Sequence, residues 1–437
     1  MKMKIHELLI RIGLILLVLL SLYFTYGIWS SSSIKGEDLE NEAQVTSTIK
    51  ERVKSDVFLP LRIAKMEEES IAVSTSESLI SAIQRVVSSS SIGALEQVVS
   101  GDDEQYNQYY VNKRGFEFIY EGRFLLSEYL SVYGIHTESS DIATDEESYF
   151  SRMQVDFERN MVLFFDFSNR NIYEATISID QSKIETLLSD EGVTYFNVTD
   201  QSTIANKQYY MMSDLKLKKY SYILASQPIT LFRNAFFTNP DSVHTNEDSN
   251  DLSYTSGVEK LNVDEETNTV YFSGALQNTA DGHNLFSDSF SYMKKLGTNI
   301  GNIRYFDSSD QRVNYRTFVE GFPVFSADYK GQVRVSMGGE GADQQQVIIN
   351  TSVDMIQVPI PSEEEVTLQD TASLLDELAY YGANVDDIES LIIGYSWQTI
   401  EGVTQVVDLT PEWYILYQGQ WYPERDLLDM LANMEVQ

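Results

Sequence analysis

Cysteine is absent from all 437 residues. Its absence removes disulfides, thiolate metal sites, thiol nucleophiles and iron–sulfur clusters together. Histidine is nearly absent as well. The four, His6, His136, His244 and His283, are scattered, and no pair has metal-ligand spacing. Basic residues are scarce: 31 Lys+Arg stand against 66 Asp+Glu, a formal net charge of −35. Such a field repels polyphosphates, which excludes nucleic-acid binding, and it disfavours adhesion of the soluble part to anionic lipid. The stretch "GGEGADQQ" (Gly338–Gln345) lacks the Lys-Ser/Thr pair of a phosphate loop and reads as a turn between two strands. In "NEDSND" (Asn246–Asp251) oxygen ligands alternate, but Gly257 stands where a calcium loop needs a bidentate Glu; an acidic solvated loop is expected. No G-x-S-x-G or S-x-x-K signature joins a strand to a helix, and acids are too numerous to single out a glycosidase pair. Neither a cofactor nor a metal is expected, and a non-enzyme is the preferred reading.

What the chain has in quantity is apolar and aromatic material, 43% hydrophobic residues with 27 Tyr and 21 Phe. That is enough for real cores, and the length points to two or three domains. One stretch stands apart: "RIGLILLVLLSLYFTYGIWSSSS" (Arg11–Ser33), with no charge from Ile12 to Trp29. Eighteen helical residues span about 27 Å at 1.5 Å each. With Leu8–Ile10 added and Arg11 snorkelling, the segment reaches the roughly 20 residues a bilayer requires. Its apolar run exceeds that of a cleavable signal, and Tyr23, Phe24, Tyr26 and Trp29 form an interfacial belt, which favours a retained anchor. Ser30–Ser33 leave late cleavage open. Lys2, Lys4 and Arg11 precede the span and Glu37, Asp38, Glu40 and Glu42 follow it. The positive-inside rule therefore puts the N-terminus in the cytoplasm and the bulk of the chain outside.

The expected architecture is α+β: one N-terminal transmembrane helix, then an extracytoplasmic multi-domain assembly of antiparallel sheets with covering helices. The boundaries read are 1–30 for the cytoplasmic end and anchor, 31–45 for a stalk, 46–212 for an N-terminal α+β domain, 213–358 for a central one and 359–437 for a small C-terminal one. In the first, "VFLPLRIAKM" (Val57–Met66) reads as an edge strand interrupted by Pro60. "SLISAIQRVV" and "FLLSEYLSVYG" have helical spacing, and "NMVLFFDF" and "IYEATISI" read as a hairpin across Ser168–Asn171. In the second come a helix from Pro228, a loop or boundary at Asp241–Gly257, a hairpin turning at Asp264–Asn268 and a helix near Phe290–Leu296. Four runs follow as a meander: "NIRYF", "VNYRTFVEGFPVF", "GQVRVSMGG" and "QQVIIN". The third has a helix at Thr367–Ala379 over strands that include "EWYILYQGQWY", where at least one aromatic row is core. No repeat of fixed period is present.

Three stretches resemble the YycH-type regulatory proteins. "VNYRTFVEGFPVFSADYKGQVRV" (Val313–Val335), "KYSYILASQPITLFRNAFFTNPDSV" (Lys219–Val243) and "IIGYSWQ…VVDLTPEWYILYQGQWYPE" (Ile392–Glu424) match that family's pattern in order and spacing, and the anchor ends in "LLSLYFTYGIW". The departure lies between Lys295 and Arg304, where "KLGTNIGNIR" replaces an expected Gly-Gly-Trp-like element. The resemblance implies a membrane-anchored accessory regulator of the WalK/WalR (YycG/YycF) two-component system of Gram-positive bacteria, which controls cell-wall metabolism. It implies action on a WalK-type sensor histidine kinase together with a YycI-type protein, largely through transmembrane helices, and no catalytic residues. An extracytoplasmic cell-wall hydrolase or wall-fragment-binding protein is the alternative.

Candidate contact residues lie in the span. Close packing and interhelical hydrogen bonds select partners in lipid, so small and hydroxylated residues mark contact faces. Ser21 and Thr25, four apart, share a face, with Gly13 and Gly27 flanking it more loosely. The residues alone leave a passive, lipid-facing anchor equally open.

Overall fold

The computed structural model describes residues 51–437 apart from 69, 110–113, 139–141, 143–144, 146, 201–208, 247–251, 277–283, 339–345, 401 and 435–437; before 51 it describes only 14, 17 and 18. Leu14, Leu17 and Val18 are helical and exposed. The rest of the expected span, with Gly13, Ser21 and Thr25, lies outside the described residues. Among the described residues no helix is long and apolar enough to cross a membrane.

Two large sheets organise the chain. Across the first run Tyr209–Met211, Phe196–Asp200, Ile71–Ser74, Arg62–Met66, Gly115–Leu125, Tyr149–Asp156, Met161–Asp166, Asn171–Ser178 and Ser91–Ile92, with Glu96–Val99 also paired to Asn171–Ser178. Arg62–Met66 is interior, not an edge. Pro60 precedes the strand rather than interrupting it, so its missing N–H costs no ladder bond. Both faces of this strand are covered, Ile63 by one core and Ala64 and Met66 by another. The hairpin Met161–Asp166/Asn171–Ser178 turns as read: the Asp166 carboxylate accepts the Ser168 and Asn169 amides at 3.0 and 3.3 Å, and Arg170 adopts φ 54°. Helix Glu77–Ser88, capped by the Ser76 hydroxyl, buries Leu79, Ile80 and Ile83, while Leu126–Tyr133 ends at left-handed Gly134.

The second sheet contains the meander. Ile303–Ser309 pairs with Arg312–Val319, which pairs with Gln332–Gly338, which pairs with Gln346–Ser352, all antiparallel. The run read as "VNYRTFVEGFPVF" is two strands, because Glu320 and Gly321 take φ 50° and 81° and fold Phe322–Phe325 back. Phe322–Phe325 then runs parallel to Ile388–Ile400, Val324 facing Tyr395. Beyond it lie Val403–Tyr417, Tyr220–Ser226 and Asp354–Ile360, with Gln420–Pro423 on Val403–Tyr417. At the other end, Gln346–Ser352 leads through Thr269–Ala275 and Glu259–Asp264 to Leu252–Ser256 and His244–Asn246. The latter two form a short hairpin where a loop was expected. The turn at Asp264 is as read, its carboxylate accepting the Glu266 and Thr267 amides at 2.8 and 3.2 Å.

Caps set the helix limits. Asn284 starts Leu285–Leu296 one turn earlier than expected. Asp370 accepts the Ala372 and Ser373 amides at 2.9 and 3.0 Å, so that helix is Thr371–Tyr380, and Glu365–Leu368 is a strand against Leu215–Lys218. A C-terminal helix, Glu424–Met434, was not anticipated.

Residues Ile49–Gln437 form one compact unit. Its main core runs from Val57 to Met355 and is shared by the first sheet and the meander. The two meet closely at Gly122, where a Cβ would fall 2.6 Å from the Asp307 Cα and 2.7 Å from the Ser308 nitrogen. Backbone at that distance has no rotamer with which to yield. Gly122→Ala should therefore cost about 1–3 kcal/mol, as overpacking does, and lower the midpoint of thermal unfolding; an unchanged midpoint would show that the sheets do not meet there.

Candidate functional site

A cleft of about 1130 Å³ opens where three sets of strands converge. One wall is the solvent-side face of the meander. Alternation places Val313 and Tyr315 in the core and Arg312, Asn314 and Arg316 on the opposite face. The register sets Asn314 against Arg334 and Arg316 against Gln332 on the next strand. A second wall comes from Ile388–Ile400, Val403–Tyr417 and Gln420–Pro423, which supply Ser396, Trp397, Glu412, Tyr414 and Trp421. Glu121, Arg123 and Arg152 of the first sheet complete it.

Hydrogen bonds fix this lining. The Asn314 side-chain oxygen accepts from Gln332 Nε2 at 3.1 Å and Arg334 Nε at 3.0 Å, while its amide donates to Asp307. Asp307 also accepts the Trp421 indole at 3.1 Å. Arg316 donates to the Val324 carbonyl at 3.1 Å and lies 3.9 Å over the Phe325 ring, which stacks on Tyr414 at 3.8 Å and 11°. In the strand "EWYILYQ" one row is buried throughout, and of the other Tyr414 is buried while Gln418 is exposed. Trp413, Ile415 and Tyr417 enter the C-terminal core, and Tyr414 packs with Phe325 behind the cleft. Burial lowers the Arg316 pKa to about 10, Asp307 pulling the other way.

Glu117 sits behind Arg152, fully buried. Its carboxylate accepts from the Tyr209 hydroxyl at 3.2 Å, with Arg152 Nε 3.6 Å away. Desolvation nevertheless pushes the Glu117 pKa from its ordinary 4.5 up to about 7, outweighing the attraction of Arg152. Gly13, Ser21 and Thr25 lie outside the described residues. Sequence reasoning missed the arginines. Their signal was the i, i+2, i+4 series Arg312, Asn314, Arg316 within an otherwise apolar strand. Among the described residues no group of three or more His, Asp or Glu side chains is placed to hold a metal ion.

A family model described as "YycH protein, C-terminal domain" matches residues 205–427, just over half the chain and most of both the meander and the second cleft wall. The chain belongs to the YycH family. With membership comes its broad role, regulation of the WalK (YycG) two-component system. The crystal structure of YycH from Bacillus subtilis superposes with a TM-score of 0.65 at 14% identity, over 86% of this chain and 98% of that one. At that identity it shows the fold: α+β, antiparallel sheets and few helices. No curated protein matches significantly. In place of the expected Gly-Gly-Trp-like element, Gly297 and Gly301 take φ 66° and 80° around a short 3-10 turn, and the Gly301 carbonyl accepts from Arg52 at 2.6 Å.

The Glu117 shift has a pH consequence. A carboxyl whose folded pKa is raised favours folding while protonated, so its contribution is full below pH 4.5 and is lost as pH rises through 7. Glu117→Gln removes that loss. Relative to the parent, the variant should gain unfolding midpoint from pH 5 to about pH 7 and level off above it in a thermal shift series, and a constant difference between pH 5 and pH 7 would refute the assignment.

Proposed function

We propose that this YycH family member is held in the membrane by a single N-in helix at Arg11–Ser33, with residues 49–437 outside the cytoplasm. There it modulates a WalK-type sensor histidine kinase alongside a YycI-type partner, using transmembrane contacts at Gly13, Ser21 and Thr25 together with the folded unit. It does so without catalysis of its own. The observation that carries the reading is the family match over residues 205–427. The uncharged run Ile12–Trp29, its basic leading flank and its acidic trailing flank support the anchoring. The absence of cysteine and the scattered histidines support a non-catalytic role.

Topology is tested with intact protoplasts. External protease should remove most of residues 49–437 and leave a small protected N-terminal fragment; full protection, or release of a product starting near Ser31, overturns the anchor. Recognition is tested by replacing Arg11–Ser33 with an unrelated apolar helix of equal length. Hydrogen bonds between membrane helices average about 0.6 kcal/mol, so single alanine changes are a weak probe and the whole-segment swap is the stronger one. The swapped protein should reach the membrane, lose co-purification with the kinase from detergent extracts, and lose its effect on WalR-dependent transcription. Undiminished co-purification would assign recognition to the folded unit alone.

A further inference from the structure

In a chain with a net charge of −35, six arginines, Arg123, Arg152, Arg312, Arg316, Arg334 and Arg425, line one cleft, and no lysine does. Five acids share the lining, but protein groups already engage most of them. Glu121 pairs with Arg62 at 2.8 Å and accepts from Ser390, Asp307 holds Asn314 and Trp421, Glu412 accepts the Ser396 hydroxyl, and Glu389 accepts the Gly419 amide at 2.6 Å. Arg312, Arg316 and Arg334 form no ion pair among the described residues. The buried Nε groups of Arg123, Arg312 and Arg316 and the Trp397 indole N–H also have no hydrogen-bond acceptor among the described residues. Each is a buried donor of a residue that lines the cleft and carries the desolvation cost of a missing acceptor. With most of the acids engaged, the arginines give the cleft a positively charged lining.

The shape of the lining narrows the ligand. Planar guanidinium groups match carboxylate and phosphate oxygens two at a time. Between the arginines stand amides, Asn314, Gln332 and Gln398, and aromatic side chains, Tyr329, Trp397 and Trp421. Amides suit hydroxyl groups, and a ring offers an apolar face to the C–H surface of another ring. At about 1130 Å³ the cavity is larger than a bare inorganic anion needs. We infer that the cleft is a binding site for an anionic sugar derivative, a saccharide bearing a carboxylate or phosphate, with Arg312, Arg316 and Arg334 receiving the charge and Trp397 and Trp421 bordering the sugar.

This inference goes beyond kinase regulation and does not depend on it, since its test uses the isolated chain. Full-length protein in detergent is titrated with N-acetylmuramic acid for the carboxylate arm, N-acetylglucosamine 1-phosphate for the phosphate arm, neutral tri-N-acetylchitotriose and an acidic heptapeptide. Calorimetry and tryptophan fluorescence report binding. One or both charged sugars should bind saturably and weaken at least fivefold between 50 and 500 mM salt, the binding arm identifying the charged group. Arg312→Gln and Arg334→Gln, both at half-exposed positions, should each weaken binding about five- to tenfold with an unchanged unfolding midpoint. Arg85→Gln, on an exposed helix position away from the cleft, should not. Binding by neither charged sugar, equal binding of the neutral trisaccharide, tighter binding of the peptide, or undiminished binding by both cleft variants overturns the assignment.

Discussion

Everything in the folded unit depends on what surrounds the ring of Phe58. Fully buried, it stacks on Phe124 of the first sheet at 5.2 Å and meets Phe286 and Phe290 of the helix Leu285–Leu296 and Tyr305 and Tyr315 of the meander, all within 6.2 Å. Aromatic clusters bury much area in preferred edge and offset geometries, so one residue holds three elements in fixed relation. Lys54 clamps the same junction with a 2.5 Å ion pair to buried Glu128, which also accepts from Asn284 and Ser287. The first sheet and the meander thus share a core, and a cleft whose walls come from both inherits that rigidity.

The second fastening is electrostatic. Arg304, fully buried, donates to the Leu59 and Pro60 carbonyls at 3.1 and 2.5 Å and lies 4.8 Å over the Phe318 ring. Proline at 60 leaves its carbonyl just outside the strand that follows, and the guanidinium satisfies it. Burial lowers the arginine pKa, and Glu77, 3.6 Å away, offsets part of that loss. Arg304 and Arg316 stand opposite each other in neighbouring strands, yet one serves the fold and the other faces the cleft. What separates their roles is the acceptor each finds.

Local chemistry made much of the fold legible. Asp166 and Asp264 announce their turns because an Asx side chain binds the amides two and three residues on, and the alternation flanking them selects the hairpin. Helix starts were misplaced wherever a cap lay off the apolar period, as at Asn284 and Asp370. The C-terminal helix was hidden because Leu427 and Leu431, buried one turn apart, are flanked by Glu424, Arg425, Asp426 and Asp429. The cleft was illegible for a different reason. Arg123, Arg152, Arg312 and Arg425 are close only through long-range pairing, and no window of sequence contains that register. Each arginine alone reads as a solvated surface residue.

The strand Tyr220–Ser226 lies between Asp354–Ile360 and Val403–Tyr417, its partners more than a hundred residues downstream. A chain emerging from its N-terminus makes this strand early, holds it without a neighbour until residue 360 has been made, and without its second until Leu409 has been made. The first sheet has no such dependence, since its strands lie between residues 62 and 211. The molecule is therefore built in a set order, the far half of the second sheet closing last. During that interval the exposed ladder edge is a place for a chaperone to hold or a neighbour to misjoin.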